Sequence, residues 1–357
     1  MAGSASGVDS VPMIWLLVQF AACAGVIVAA GTFLVRFGDA IAERLKLGSL
    51  WAGAILIATA TSLPELFTGI SSVLIFDVPD LAVSTLLGSC VFNLLLLVML
   101  DFLFSKSSFF DGINPSYIVE AAFALVLMGI VALGFVFARE MAAFPWIWPG
   151  SLLIIVVYVF AVRVSLREGR FPPYIHDPES QDAGNARSPS RTVEDKPKQL
   201  PSLRQAIAGY SVSAALVIAA ALWLPGVAEQ IADRAGIGAT VLGGIAVALT
   251  TSLPEIVTTL AAFRIGAIDM AFSNVIGSNM FNVFILALND MLYLKGPITS
   301  NSSPVHLTTA LVAMTMTGVV IAALAVRKQR RFLRLSIASW VLIAGFFFNA
   351  IAIIVLS

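Results

Sequence analysis

Residues 38–65 read GDAIAERLKLGSLWAGAILIATATSLPE, and residues 227–255 read VAEQIADRAGIGATVLGGIAVALTTSLPE. A second pair follows, in which PDLAVSTLLGSCVFNLLLLVMLD at 79–101 is matched by IDMAFSNVIGSNMFNVFILALND at 268–290. The matches are concentrated in polar residues, whereas chance similarity between apolar helices involves interchangeable Leu, Ile, Val and Ala. We therefore interpret the chain as an internal duplication.

The composition of the chain is typical of a membrane protein. Of its 357 residues, 59% are hydrophobic and only 12% are charged, and the mean hydropathy is +0.95. Such a chain has too little polar surface to cover a soluble globule. Apolar runs of about 20 residues, the length that crosses a bilayer, recur along nearly the whole sequence. They predict an all-α polytopic membrane protein with ten spans, at 13–35, 49–76, 80–104, 117–138, 146–164, 206–225, 239–264, 269–294, 304–326 and 332–356.

The two copies of the duplicated unit begin five predicted spans apart. An odd number of crossings turns the second copy upside down in the membrane, which predicts two inverted five-helix repeats. The first repeat is expected at 13–164 and the second at 206–356. Residues 165–205 between them are rich in Pro, Ser, Arg, Asp and Glu, so we expect a flexible linker there.

The basic residues predict the orientation of the spans. With the N-terminus outside, all but Arg139, Arg234 and Lys295 of the 21 Lys and Arg fall on the cytoplasmic side, as cytoplasmic loops require. Both termini are therefore expected to be extracytoplasmic and the linker cytoplasmic, in a multi-pass protein of the cell inner (plasma) membrane. Orientation alone explains the basic clusters, so we infer a lipid bilayer around the chain, no nucleic-acid partner, and no particular protein partner.

Glu65 and Glu255 lie near the middle of the second and seventh predicted spans. A carboxylate at mid-membrane costs about 2.5 to 3.5 kcal/mol on insertion scales, so each needs a reason. A lone Glu could be protonated and hydrogen-bonded to a neighbouring helix. Two symmetry-related Glu side chains that converge on the midplane instead form a divalent negative centre, which a hard cation binds.

A proline precedes each of these carboxylates. Pro64 and Pro254 lack an N–H, so the carbonyl four residues earlier, on Ala60 or Thr250, loses its helical partner. Broken backbone at membrane depth is tolerated where it lines a polar cavity, and freed carbonyls are ligands for Na⁺ or Ca²⁺. Four further spacings of i and i+4 place polar side chains on shared helix faces. They are Thr61 with Glu65, Thr251 with Glu255, Ser89 with Asn93, and Ser278 with Asn282.

These side chains together satisfy the requirements of a hard cation. Ca²⁺ takes six to eight oxygens at about 2.3 to 2.6 Å, which two carboxylates, hydroxyls, amides and main-chain oxygens can supply. A single Ser in a membrane helix is more often a packing residue, but the repetition favours ligands. Soft transition metals are disfavoured because neither a Cys pair nor a His pair accompanies the acids, and the chain has only Cys23, Cys90, His176 and His306. We expect no cofactor.

The two TSLPE motifs, each followed by GSxxFN, resemble the alpha repeats of the calcium/cation antiporter superfamily, in particular its prokaryotic sodium/calcium exchangers. The resemblance covers essentially all ten predicted helices. It implies that the first and sixth helices slide against the remaining core to give alternating access. It also implies the following ion-binding positions, the two alanines through main-chain oxygens: Glu65, Glu255, Thr61, Thr251, Ser62, Ser252, Ser89, Ser278, Asn93, Asn282, Ala58 and Ala248.

Two features depart from the pattern of that superfamily. Ala60 and Thr250 stand where Gly usually precedes TSLPE, and Cys90 replaces the Asn that the second copy has as Asn279. Neither departure removes a carboxylate. They bear on ion preference and rate, and Cys90 is most simply a small packing residue.

The resulting interpretation is a secondary transporter, not an enzyme, that exchanges Na⁺ for Ca²⁺. Ca²⁺/H⁺ antiport is the first alternative, because the same two carboxylates could bind protons. An intramembrane hydrolase with paired carboxylates would gain nothing from the symmetric hydroxyl and amide ligands. A pore fits inverted halves with one midplane site less well. Four other polar residues are interpreted as interfacial or structural: Asp101, Glu120, Asp290 and Asn349.

Overall fold

A computed structural model of the chain describes residues 12–45, 52–104, 107–141, 146–168, 201–234, 251–326 and 329–356. Its long helices are α1 Met13–Leu45, α2 Ala52–Thr61, α3 Leu63–Leu74, α4 Pro79–Leu103, α5 Tyr117–Val136, α6 Pro149–Glu168, α7 Leu203–Arg234, α8 Leu253–Arg264, α9 Ile268–Leu292, α10 Val305–Ala325 and α11 Ile337–Leu356. Short helical turns are Phe109–Gly112, Ala138–Met141 and Ile298–Ser300. Strands β1 Arg331–Phe332 and β2 Leu335–Ser336 form a small antiparallel hairpin.

Seven helices in the described ranges are long and apolar enough to cross a membrane, namely α1, α4, α5, α7, α9, α10 and α11. The bent pair α2 and α3 would make an eighth span. Helix α6 has a shorter apolar part, Pro149–Ser165. The predicted multi-pass helical membrane class is thereby confirmed, while ten spans in inverted repeats stay a prediction. Residues 169–200 of the predicted linker, and residues 235–250 with Thr250 and Ala248, lie outside the described residues.

The helix interruption predicted from the TSLPE motifs is present at Ser62 and Ser252. Their backbone angles are nearly the same, with φ −91° and ψ 7° at Ser62 and φ −87° and ψ 5° at Ser252. The proline then occupies the first turn of the new helix, where its missing N–H costs nothing. Helices α2 and α3 meet at 46° across this break. Each copy therefore presents its Glu in the first turn of a new helix, α3 or α8.

Helix α9 forms the centre of the molecule. It packs against α2, α3, α4, α5, α6 and α8, and 89% of its most apolar stretch is buried, against 17% in α1. Small residues permit its close approach to α2, because a Cβ at Gly277 would overlap the backbone of Ala54 and one at Gly53 would overlap Met270 and Ser273. Such contacts between small residues drive helix association in membranes. Helices α1 and α7 pack along each other at the periphery.

Asp101, at the end of α4, is a fully buried anchor for the last helix. One carboxylate oxygen accepts hydrogen bonds from Ser108 Oγ at 2.9 Å and Phe109 N at 2.8 Å. The other accepts from Ser336 N and Ser339 Oγ, both at 2.7 Å, at the start of α11. With four donors the carboxylate is well satisfied, as a buried charge must be.

Asp290 makes the matching contacts at the end of α9. Its Oδ1 accepts a hydrogen bond from Ile298 N at 2.6 Å. Its Oδ2 accepts from Trp148 N at 3.0 Å and from Ser151 Oγ at 2.6 Å, at the start of α6. The carboxylate therefore anchors α6 to the central helix.

The two anchors occupy corresponding positions of the duplicated sequence. Asp101 and Asp290 are the last residues of the paired stretches 79–101 and 268–290. Each fixes the last helix of the other half, because Asp101 holds α11 and Asp290 holds α6. The two halves are therefore joined by matching contacts.

Candidate cation site between the repeated motifs

The two membrane carboxylates meet at the centre of the bundle. Glu65 and Glu255 are each only 2% exposed and are close enough to interact electrostatically. Ser62 Oγ donates a hydrogen bond of 3.2 Å to Glu255 Oε1. The break in the first copy is thus in direct contact with the carboxylate of the second.

The carbonyl of Ala58, which is one of the predicted main-chain ligands, lies at the same break. The carbonyl of Ala58 accepts a hydrogen bond from Ser62 N at 3.0 Å and one from Thr61 Oγ1 at 3.2 Å. These bonds hold the last turn of α2 in place next to the helix that carries Glu65. Tyr210, on α7, supports the same segment by donating from its hydroxyl to the carbonyl of Leu56 at 2.7 Å.

Amide side chains join α4 and α9 next to the carboxylates. Asn93 Nδ2 donates to Asn279 Oδ1 at 3.1 Å, and Asn279 Nδ2 donates to the carbonyl of Cys90 at 3.0 Å. The Cys90 thiol in turn lies 3.8 Å from the carbonyl of Asn279. Cys90 and Asn279, which stand at corresponding positions of the two copies, are therefore partners across the helix interface. Asn279 is absent from the predicted ligands, although its mismatch with Cys90 is a visible signal in the sequence.

Eleven of the twelve predicted ligand residues lie in the described part of the chain, and all eleven are buried: Ala58, Thr61, Ser62, Glu65, Ser89, Asn93, Thr251, Ser252, Glu255, Ser278 and Asn282. Ala248 lies outside the described residues. Direct hydrogen bonds link Ser62 with Glu255 and Asn93 with α9. The ligand roles themselves stay a prediction.

Several polar atoms of this group have no hydrogen-bond partner among the described residues. They are Glu65 Oε2, Glu255 Oε2, Asn93 Oδ1, Ser278 Oγ, and both amide atoms of Asn282. Leaving a buried polar atom unpaired costs about 1 to 3 kcal/mol, so such a concentration indicates a ligand. Carboxylate, amide and hydroxyl oxygens are the ligand types that hard cations prefer.

Glu120, on α5, is another buried carboxyl group. It is 2% exposed, its Oε2 accepts from Ser273 Oγ at 3.1 Å, and its Oε1 has no partner in the described ranges. Its place near the end of a predicted span favours an interfacial or structural role. The observed contact joins α5 to α9 and involves neither central carboxylate.

Comparisons with known proteins identify a family for this chain. The family model described as sodium/calcium exchanger protein matches residues 15–167 and 205–356. An uncharacterized membrane protein of Methanocaldococcus jannaschii is 24% identical over 251 residues, which are 70% of this chain and 73% of that protein. The sodium/calcium exchanger MaX1 of Methanosarcina acetivorans is 49% identical over 63 residues, 17% of this chain and 18% of that protein.

A solved structure of the sodium-calcium exchanger NCX_Mj has a similar fold. Its TM-score is 0.69 at 19% sequence identity, and the match covers 97% of this chain and 100% of that one. The family model extends over both halves of the chain and includes both TSLPE motifs. Several of the relatives that the chain matches are named as exchangers. This membrane protein therefore belongs to the sodium/calcium exchanger protein family.

Proposed function

We propose that the chain is a secondary active antiporter that exchanges Na⁺ for Ca²⁺ by alternating access. The observation that carries this proposal is the meeting of Glu65 and Glu255 at two broken helices, linked through Ser62. Two carboxylates carry a formal charge of −2, which one Ca²⁺ or two Na⁺ neutralises. Taking the ion through a low-dielectric interior requires such charge matching.

The neutral oxygens of the site suit a metal cation, and we propose Na⁺ as the coupling ion. A proton binds to a single oxygen, whereas Na⁺ and Ca²⁺ need several oxygens around them. Asn93 Oδ1, Ser278 Oγ and Asn282 Oδ1 are buried and unpaired within the described residues. Ca²⁺ would use all three oxygens in either kind of antiport, so the choice of Na⁺ as the coupling ion rests on the two TSLPE motifs, which resemble those of sodium/calcium exchangers.

The periphery of the bundle suits a sliding mechanism. Helices α1 and α7 pack along each other, and only 17% and 28% of their most apolar stretches are buried. Their movement as a pair would expose the central carboxylates to one face and then the other, while α9 stays fixed in the core. We place the protein in the cell inner membrane with both termini extracytoplasmic, on the distribution of Lys and Arg.

Flux measurements on purified protein in proteoliposomes test this function. Uptake of radioactive Ca²⁺ is compared under an outward Na⁺ gradient and under a pH gradient of equal size, with empty liposomes as a control. We expect uptake under the Na⁺ gradient alone. Uptake that follows only the pH gradient would select Ca²⁺/H⁺ antiport, and no gradient-driven uptake would contradict Ca²⁺ antiport altogether.

A further inference from the structure

Helix α9 carries a longer polar stripe than the repeated motif requires. Asn274, Ser278, Asn282 and Asn289 are spaced by four, four and seven residues, which returns each side chain to one face of a helix. All four side chains are at most 1% exposed. The stripe therefore runs inside the protein along much of α9 and passes through the candidate cation site.

The other copy of the repeat has no asparagine at the two ends of this stripe. In α4, Thr85 and Leu100 stand at the positions that Asn274 and Asn289 occupy in α9. Leu100 is fully buried, so this position of the repeat accommodates an apolar side chain. Burying an amide in a membrane interior is unfavourable. A leucine fills the corresponding position in α4, so a need for packing does not explain why α9 has Asn289 there.

Asn289 lies on the side of α3 that carries Glu65. Its amide packs against Gly69, where a Cβ would overlap it. Gly69 follows Glu65 by four residues, so the two share a helix face and are about one turn apart. Neither Oδ1 nor Nδ2 of Asn289 has a hydrogen-bond partner among the described residues. An unpaired amide is thus held one helical turn beyond the carboxylate site.

Asn274 lies beside α8, about one turn beyond Glu255, as Asn289 lies beside α3 about one turn beyond Glu65. Its Nδ2 donates to Thr258 Oγ1 at 3.1 Å and to Thr259 Oγ1 at 2.9 Å, which leaves Oδ1 unpaired within the described ranges. Thr259 follows Glu255 by four residues, as Gly69 follows Glu65. The two hydroxyls fix the amide group, so its oxygen is held in one orientation.

The two asparagines lie on opposite sides of the central ligands of α9. At 1.5 Å per residue, Asn274 is about 6 Å from Ser278 along the helix, and Asn289 is about 10 Å from Asn282. A cation path that followed this face of α9 from the central site toward either side of the membrane would pass one of the two amides.

We propose that Asn274 and Asn289 are transit ligands, which a cation contacts on its way between the central site and the two faces of the membrane. Asn289 serves the face at which α9 ends, and Asn274 serves the face at which α9 begins. An amide oxygen replaces one water of the hydration shell. Because it is neutral, it holds the ion weakly enough to let it leave, as conduction and transport both require. This inference rests on the proposed cation antiport.

Replacing each asparagine by leucine tests the proposal. In proteoliposomes of uniform orientation, Asn289→Leu is expected to raise the KM for Ca²⁺ about tenfold at the face where α9 ends, a loss of about 1.4 kcal/mol. The KM at the other face should be unchanged. Asn274→Leu should show the opposite sidedness. Asn349→Leu removes a buried asparagine of α11 and should change neither KM.

Two milder variants separate a ligand role from a packing role. Asn289→Asp is isosteric, keeps an oxygen and adds charge, so the KM for Ca²⁺ at the same face should fall. Asn274→Thr introduces the residue of the other copy and keeps one side-chain oxygen, so it should raise the KM less than Asn274→Leu does.

The following outcomes would overturn the proposal. One is that Asn289→Leu changes the KM for Ca²⁺ equally at both faces, or at neither face. Another is that Asn289→Asp raises this KM. A third is that Asn274→Thr raises the KM as much as Asn274→Leu does. A wild-type protein that exchanges no cation would instead contradict the proposed function.

Discussion

The hydroxyl of Ser62 donates a hydrogen bond to Oε1 of Glu255, although 193 residues separate them in the chain. The donor stands at the helix break of the first copy, and the acceptor stands in the first turn after the break of the second. One copy therefore completes the surroundings of the other's carboxylate. A single copy of the repeat would have half of the charge and half of the neutral ligands.

Removing either central carboxylate is expected to abolish Ca²⁺ transport. Glu65→Gln and Glu255→Gln each remove half of the negative charge, and a buried cation tolerates little imbalance. Gradient-driven Ca²⁺ uptake in proteoliposomes measures the effect. Glu120→Gln is the matched control, because this carboxyl group is equally buried yet contacts Ser273. Uptake should stay near the wild-type rate in the control, and near-normal uptake in both central variants would contradict the proposed site.

Removing a single hydroxyl should weaken transport without abolishing it. Ser62→Ala removes the donor to Glu255, a hydrogen bond to a charged group worth about 1.5 to 3 kcal/mol. Changing Ser252, Ser89 or Ser278 to Ala removes one neutral ligand among several, so smaller rises in the KM for Ca²⁺ are expected. The readout is the KM for uptake at fixed protein density. Any Ser→Ala variant as inactive as the Glu variants would reveal a role beyond ligation.

The sequence contains enough information to predict the membrane class and the helix breaks. The hydropathy and the length of an apolar run do not depend on tertiary contacts, so they predict the long apolar helices directly. Pro64 and Pro254 predict the interruptions, because proline cannot continue the hydrogen-bond ladder of α2 or of the segment before α8. The structure has these interruptions at Ser62 and Ser252.

Contacts between residues distant in the chain cannot be predicted in the same way. The sequence indicates a structural role for Asp101, but its four donors come from the following loop and from the start of α11. Nothing in the sequence places Asn289 against Gly69. A polar residue in an apolar run has the same sequence signature whether it binds a helix end, an ion or another amide.

Neutralising the two helix anchors should destabilise the fold rather than alter ion selectivity. Asp101→Leu leaves the N–H groups of Phe109 and Ser336 without their acceptor, at about 1 to 3 kcal/mol for each buried group. Asp290→Leu should act in the same way at the start of α6. Thermal unfolding in detergent, followed by intrinsic fluorescence, measures the loss of stability.

Asp111→Asn provides the matched control for the anchors. This exposed aspartate accepts one hydrogen bond, from Gln329 N at 3.1 Å. The free energy of unfolding of Asp111→Asn should therefore lie within about 0.5 kcal/mol of the wild-type value. Wild-type thermal stability in Asp101→Leu and Asp290→Leu would show that the two carboxylates do not anchor α11 and α6.

The orientation of the chain can be tested by labelling single cysteines. Cys23 and Cys90 are first replaced by Ser, and one cysteine is introduced at a time in 169–200 or near either terminus. Cysteines in 169–200 should react with an impermeant thiol reagent only after the membrane is opened, whereas cysteines at the termini should react in intact cells, because the basic residues place the linker inside. Labelling of 169–200 from outside would reverse the proposed topology.

The last prediction concerns the charge that moves during exchange. Asn93 and Asn282 are neutral, so the proposed ligands carry only the two charges of Glu65 and Glu255. One Ca²⁺ or two Na⁺ cancel this charge, and we propose that a third Na⁺ also binds, which would leave the loaded carrier net positive. Exchange should therefore respond to voltage, since moving one charge across 100 mV corresponds to about 2.3 kcal/mol. An inside-negative potential should favour Na⁺ entry and Ca²⁺ exit.

We further predict that K⁺ is not transported, because Asn93 and Asn282 are neutral and supply no third carboxylate to the site. Asn282→Asp adds a third carboxylate in a low-dielectric site, which must be compensated by a further monovalent cation or by a proton. Ca²⁺ flux is measured at clamped potentials, with and without K⁺, for the wild type and for this variant. The wild type should follow the potential and ignore K⁺, and the variant should gain a dependence on K⁺ or on pH. A wild-type flux that ignores the potential, or that stops when K⁺ is withheld, would show that the two asparagines do not set the charge of the site.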